Sequence, residues 1–239
     1  MEKCTLFPAT ERKFSPLAGP PGEIAIARDV DRPLSKTMGC SVLTMKQASL
    51  PWTVRYDEYF YCLDGELSLH VGDKTYVMEP GDGIWIPDNT KLVYEAKDSA
   101  EVIVALYPVD WQDKTNDTPG EDLPLKLVKP GERVLQGVGD VSADLKLTRD
   151  AGSDVSKTMT CGVCVFENAR MPWTMHYDEY LYCLDGHMGI REGDEVHKMG
   201  PGDAIWLPDG VEVVYEADEK AHLVYAIYPI DWRKQAGLD

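Results

Sequence analysis

The sequence predicts an all-β chain made of two tandem copies of one unit, and three observations carry that prediction. A shift of 121 residues lays SKTMGC (Ser35 to Cys40) on SKTMTC (Ser156 to Cys161), and PWTVRYDEYFYCLDG (Pro51 to Gly65) on PWTMHYDEYLYCLDG (Pro172 to Gly186). Without a change of register, PGDGIWIPD (Pro80 to Asp88) falls on PGDAIWLPD (Pro201 to Asp209), and YPVDW (Tyr107 to Trp111) on YPIDW (Tyr228 to Trp232). A repeat this long and ungapped is duplication of a whole folding unit, not a solenoid of short repeats. Within each copy, turn residues recur every ~8–12 residues between short apolar runs, the spacing of a β-sandwich or barrel. No window keeps a helical period, so helix is expected to be minor.

Taken in order, the first copy reads as strands CSVLTMKQA, EYFYCLDG, ELSLHVGD, KTYVMEPGD, GIWIPDNT, KLVYEA and AEVIVALYP. Each is rich in β-branched, aromatic and aliphatic residues, which suit a pleated, half-buried surface. Gly65, Gly72, Gly81 and Pro87 punctuate them. The stretch from Trp111 to Pro124 is rich in Asp, Thr, Pro and Gly and lacks periodic apolar residues, so it reads as an exposed connector. The expected domains are therefore 1–118 and 119–239.

The chain carries 41 acidic against 24 basic residues, a net charge of −17, which repels phosphate backbones and anionic lipid. Nucleic acid is not an expected partner, and neither is a membrane, since no apolar run reaches the ~20 residues a spanning helix needs. The first residues show no apolar secretory core, so a soluble, cytoplasmic protein is expected. Six cysteines stand at 4, 40, 62, 161, 164 and 183. Cys40 recurs as Cys161 and Cys62 as Cys183, in strand-like segments, as buried free thiols would. Cys161 and Cys164 sit on opposite faces of a strand, which argues against one metal or one disulfide between them.

The phrase DEYFYCLDGELSLHVGDKTYVMEPGDGIWIPD resembles the core of a cupin, in which a Glu precedes a YVLxG-type turn and a PGD-x-x-x-x-P element follows. The match covers both copies and implies two tandem cupin barrels of double-stranded β-helix (jelly-roll) form. More narrowly, PWTVRYDEYFYCLDGEL with the closing YPVDW resembles the ethanolamine-utilisation protein EutQ family. A cupin usually places three His and one Glu around a metal. By that resemblance Glu58 and Glu179 hold the Glu position. The His positions hold Trp52, Val54 and Leu92 in the first copy and Trp173, Met175 and Val213 in the second. One carboxylate does not hold a transition metal, so neither a metal nor another cofactor is expected. His176 precedes Glu179 by three residues and is a candidate base; its counterpart is Arg55, a candidate ligand-binding residue. His70, His187, His197 and His222 do not recur and read as surface residues.

Alternation along a strand sends Tyr56 and Glu58, and likewise Tyr177 and Glu179, to one face. A carboxylate among Trp, Val and Leu is poorly solvated, which raises its pKa toward the range useful for proton transfer. The same arrangement equally describes a buried Glu held by the Tyr hydroxyl for structure alone. Trp52, Trp85, Trp173 and Trp206 are either core packing or an aromatic wall for a small ligand. The catalytic candidates are Glu179, Tyr177, His176, Glu58 and Tyr56, the second copy leading. The function these residues predict is binding of a small organic metabolite inside the barrel, with catabolic chemistry through Glu as acid or base. A non-catalytic metabolite-binding or scaffold module is the alternative, and a metal-dependent lyase, isomerase or dioxygenase a third. A homodimer is left open.

Overall fold

The computed structural model describes residues 3–17, 21–113, 119–139 and 143–238. Two compact units emerge: one formed by residues 13–132 and 154–156, the other by 1–12, 133–153 and 157–239. Both are all-β and antiparallel within their named sheets. Among the described residues the one α-helix is the single turn Trp232–Gln235.

In the first-copy unit the sheet runs Lys126–Val128, Gly83–Ile86, Asp57–Gly65, Lys91–Tyr107, Gly39–Thr53, Glu23–Val30, Ser15–Pro16. The hairpin Leu67–Val71 and Lys74–Met78 joins along Lys91–Tyr107. The strands KLVYEA and AEVIVALYP expected from sequence are one continuous strand, Lys91–Tyr107, and CSVLTMKQA runs on through Pro51 and Trp52 to Thr53. These two long strands pair with each other throughout. A bulge between Lys46 and Ala48, with Gln47 in the left-handed region at φ 46°, bends them midway. A bulge increases bend and twist, which lets one strand serve both walls of a barrel. The second unit repeats this plan with Thr160–Thr174, Glu212–Tyr228 and a bulge at Asn168.

Gly65 closes a sharper constraint. At φ 73° a Cβ there would collide with the Ser99 carbonyl, and at Gly186 the same holds against Lys220. Only glycine permits that backbone approach.

The short arms are exchanged. Thr5–Phe7 pairs with Ala204–Leu207 in the second-copy unit, and Lys126–Val128, its counterpart 121 residues on, pairs with Gly83–Ile86 in the first. The units thus depart from the contiguous division at 118/119: the first twelve residues complete the second unit, and 119–132 complete the first. Asp203 Oδ1 accepts the Ala9 N–H at 2.8 Å, and Arg12 donates to the Gly202 carbonyl at 2.9 Å. On the other side Lys129 Nζ donates to the buried Asp82 at 2.6 Å. Residues 114–118 of the expected connector lie outside the described residues. In its later part Pro119, Glu121, Asp122 and Pro124 are exposed, as expected, while the main chain is tied to the barrel. Glu121 exchanges main-chain hydrogen bonds with Asn89 and Lys91, and Leu125 is buried.

Each barrel interior is a hydrophobic cluster. In the first it includes Val54, Phe60, Ile84, Ile86, Leu92 and Val104; in the second Met175, Leu181, Ile205, Leu207, Val213 and Leu223. All six cysteines are buried free thiols, and Cys164, not Cys161, belongs to the interior cluster, as opposite strand faces require.

Candidate active site

Strand alternation aims Glu58, Phe60 and Cys62 inward and leaves Tyr59 and Tyr61 outside the interior cluster. Glu58 is 3% exposed and lines a cavity of about 370 Å³ within the first barrel. Its counterpart Glu179 is 6% exposed and lines one of about 390 Å³ in the second. Burial pushes the Glu58 carboxyl from 4.5 up to about 8, a Tyr94 hydrogen bond opposing. Glu179 rises to about 7 for the same reason, opposed by Tyr215. At neutral pH Glu58 is thus mainly a neutral acid, and Glu179 is poised between its two forms.

The partner of each carboxyl is not the neighbouring tyrosine expected from sequence. Tyr94 donates to Glu58 Oε2 at 2.6 Å, and Tyr215 donates to Glu179 Oε2 at 2.6 Å. Both donors come from the VYEA segment, 36 residues downstream. Glu58 pairs along the sheet with Ile86 and Leu106, whereas Tyr94 pairs with Leu50 and Leu69. The hydrogen bond therefore crosses the barrel interior from one wall to the other. Recurrence of VYEA in both copies was the available signal. Each donor ring is braced by a stacked Phe that has changed places between copies. Phe60 lies 5.5 Å from Tyr94, and Phe166 lies 5.4 Å from Tyr215. Leu181 stands at the counterpart of Phe60, and Met45 at that of Phe166.

Tyr56 and Tyr177 do line the cavities, as the two-residue period predicts. Burial, then the nearby Glu58, pushes the Tyr56 hydroxyl well above its usual range; burial and Glu179 do the same at Tyr177. Each tyrosine packs on the closing tryptophan of its copy, Tyr56 on Trp111 at 5.1 Å and Tyr177 on Trp232 at 4.8 Å. Trp52 meets Trp111 edge-on at 6.0 Å, and Trp173 meets Trp232 in the same way. The aromatic wall of each cavity is therefore Trp52, Tyr56 and Trp111, or Trp173, Tyr177 and Trp232. Trp111 and Trp232 were not singled out from sequence because their position at the end of each copy suggested closure alone.

Four sequence candidates stand apart from the cavities. Trp85 pairs with Tyr59 and Trp206 with Tyr180; both tryptophans are buried but belong to neither interior cluster. Arg55 donates to Asn89 Oδ1 at 3.1 Å and does not line the cavity. His176 stacks on Trp232 at 6.5 Å and lines an open surface cleft, not the cavity that holds Glu179. Asp57 and Asp178, on the strand face opposite the carboxyls, accept the main-chain N–H of Asp88 and Asp209. Of the histidines expected at the surface, the His197 side chain is only 11% exposed.

The sequence model of the family described as ethanolamine utilisation protein EutQ matches residues 15–113 and 126–234, once in each copy. The chain belongs to the EutQ family. A curated relative named acetate kinase EutQ, from Clostridioides difficile strain 630, is 31% identical over 94 residues, which is 39% of this chain and 60% of that protein. Its Escherichia coli K12 namesake is 28% identical over 87 residues, 36% of this chain and 37% of the relative. The matched stretch thus spans less than two thirds of either curated protein. A cupin 2 conserved barrel domain protein from Leptotrichia buccalis superposes with a TM-score of 0.62 at 15% identity, covering 86% of this chain and 89% of that one. Streptomyces albus HEPD, solved with 2-hydroxyethylphosphonate and Fe(II), gives 0.73 at 11% identity, covering 100% and 79%. These likenesses show the cupin fold.

The cupin fold often carries a metal, so the donor set around the EutQ-family carboxyl decides whether one fits here. Val54 and Leu92 are buried interior hydrocarbons beside Glu58, and Met175 and Val213 take their places beside Glu179. Among the described residues no group of three or more His, Cys, Asp and Glu side chains could hold a metal ion. The remaining polar partner in the first barrel is a Tyr hydroxyl already donating to the carboxyl; in the second the Met175 thioether lies 3.2 Å from that hydroxyl and the buried Cys164 thiol lines the cavity, but among the described residues neither barrel places an imidazole there. This donor set does not fit a transition metal.

Proposed function

We propose that each barrel of this EutQ-family cupin binds a small organic molecule in its interior and that Glu58 and Glu179 act on it as acid or base. The observation that carries this reading is the duplicated pair, Glu58 with Tyr94 and Glu179 with Tyr215, inside two cavities of like size. Retention of a buried carboxyl is costly unless it is paired, and here only one of its two oxygens receives a hydrogen bond from a described residue. The second oxygen is left to meet a ligand's hydroxyl, carbonyl or amine. A carboxyl with a pKa near 7 to 8 can give or take a proton at neutral pH. The same reading puts the protein among cytoplasmic enzymes of small-molecule catabolism.

The cavities can be filled to test it. Leu43 and Cys164 are counterparts that line the two cavities, and Leu43→Trp with Cys164→Trp would occupy both. Phenylacetate and phenylacetamide serve as probes, followed by tryptophan fluorescence, because Trp52, Trp111, Trp173 and Trp232 report from the walls. Saturable quenching in the natural protein that disappears in the filled variant is the expected result. Quenching that survives filling, in a variant with an unchanged melting curve, would overturn the proposal.

A further inference from the structure

The two cavities share the Glu–Tyr pair and the Trp–Tyr–Trp wall but differ in charge at the mouth. Arg28 lines the first mouth and its counterpart Arg149 the second. Arg28 is held by Asp31 at 3.4 Å, whereas Gly152 stands at the counterpart of Asp31. Gln112 of the first mouth is replaced by Arg233 in the second, and the Arg32–Asp113 ion pair beside it, closed at 2.6 Å, by Ser153 and Lys234. Each of these three replacements adds positive charge. Arg233 lies over the Trp232 ring at 5.4 Å and donates to the Leu238 carbonyl. Among the described residues that line it, the second mouth therefore carries three cations, Arg149, Arg233 and Lys234, and one carboxylate, Asp231. In a chain of net charge −17 this is a local reversal of sign.

We infer that the barrels have divided their ligands by charge: the second takes an organic oxyanion, a carboxylate or phosphonate on an apolar body, and the first takes an uncharged ligand. The inference rests on the proposed role of the cavities and names the ligand class for each. The apolar body would lie among Phe166, Met171 and Leu147, with the oxyanion at the mouth. An oxyanion placed deep, beside Glu179, would instead meet a carboxyl that is partly ionised at neutral pH. Opposite charges at an exposed mouth act within about 10 Å at 0.1 M salt, so they select ligands at the entrance.

The test is calorimetric titration of the whole chain with phenylacetate, phenylphosphonate and the neutral isostere phenylacetamide. Phenylacetate or phenylphosphonate should bind one per chain and weaken with salt, phenylacetamide should not respond to salt, and the stronger anion identifies the head group. Arg149→Gln with Lys234→Gln should weaken the anion about five-fold, the size of one or two exposed ion pairs, and leave the amide unchanged. Asp31→Asn, which releases Arg28, should raise the anion stoichiometry toward two. Equal affinity for anion and amide, or an anion constant unmoved by the double substitution, would overturn the charge assignment while leaving the ligand cavities standing. Failure of all three probes to saturate at millimolar concentration would overturn both.

Discussion

Replacing Glu58 by Gln should make the protein more stable, and by an amount that grows with pH. Gln keeps the shape and an oxygen to accept the Tyr94 hydroxyl, but it cannot ionise. In the native barrel the Glu58 carboxyl titrates at about 8, against 4.5 when unperturbed. Between those two values the folded chain holds a proton that the unfolded chain has released, so raising the pH favours unfolding. The carboxyl imposes no such penalty below pH 4.5, and the penalty is complete above pH 8. Each pKa unit is worth about 1.4 kcal/mol, so the full difference is on the order of 5 kcal/mol. For Glu179, which reaches about 7, it is on the order of 3 kcal/mol. Urea denaturation at pH 5, 6, 7 and 8 measures it directly. With a slope of about 3 kcal/mol per molar urea, the midpoints of natural and Glu58→Gln proteins should separate by about 0.5 M per pH unit. Midpoints that run parallel across this range would show that the native carboxyl is ionised or hydrated, and the burial argument would fail.

Three further outcomes follow from the same structure. Tyr94→Phe removes the one hydrogen bond that opposes the rise at Glu58, so the Glu58 carboxyl should titrate higher still, at a stability cost of about 1–2 kcal/mol; an unmoved carboxyl titration by isotope-edited infrared spectroscopy would contradict it. A strong chelator should leave the melting midpoint unchanged, because a metal bound to the native state would stabilise it by mass action; a fall of several degrees restored by added metal would refute the donor-set argument. Deleting residues 1–12 removes the strand paired with Ala204–Leu207, so amide exchange there should quicken about ten-fold or more while Gly83–Ile86 stays protected; equal exchange at both sites would refute the exchanged arms.

The fold was legible because its evidence is local or repeated. The period-2 alternation of Asp57–Gly65, the Gly and Pro punctuation and the 121-residue register all lie within short windows. The same alternation placed Tyr56 and Glu58 together. What could not be read was contact across the barrel: the Tyr94 hydroxyl reaches Glu58 only because two walls close on each other. Sequence left Trp85 open between core packing and a ligand wall for a related reason. Its face follows from pairing with Tyr59, a register between strands that no single strand discloses. His176 lies just before Asp178–Gly186 begins, where alternation has not started, so sequence distance from Glu179 said nothing about direction. Three-residue arms carry too few side chains to specify a partner, and Thr5–Phe7 could be placed only by the edge it seals.

The reciprocal arms also change what a cut in the chain would do. A protease that nicks residues 114–118 yields a fragment carrying Thr5–Phe7 and another carrying Lys126–Val128. Each fragment then supplies an edge strand to the sheet whose remainder belongs to the other. Such fragments would stay associated as a noncovalent heterodimer, held by two main-chain ladders, and would separate only under denaturing conditions. The duplicated gene thus encodes, in one continuous chain, what two single-copy chains would achieve by trading arms.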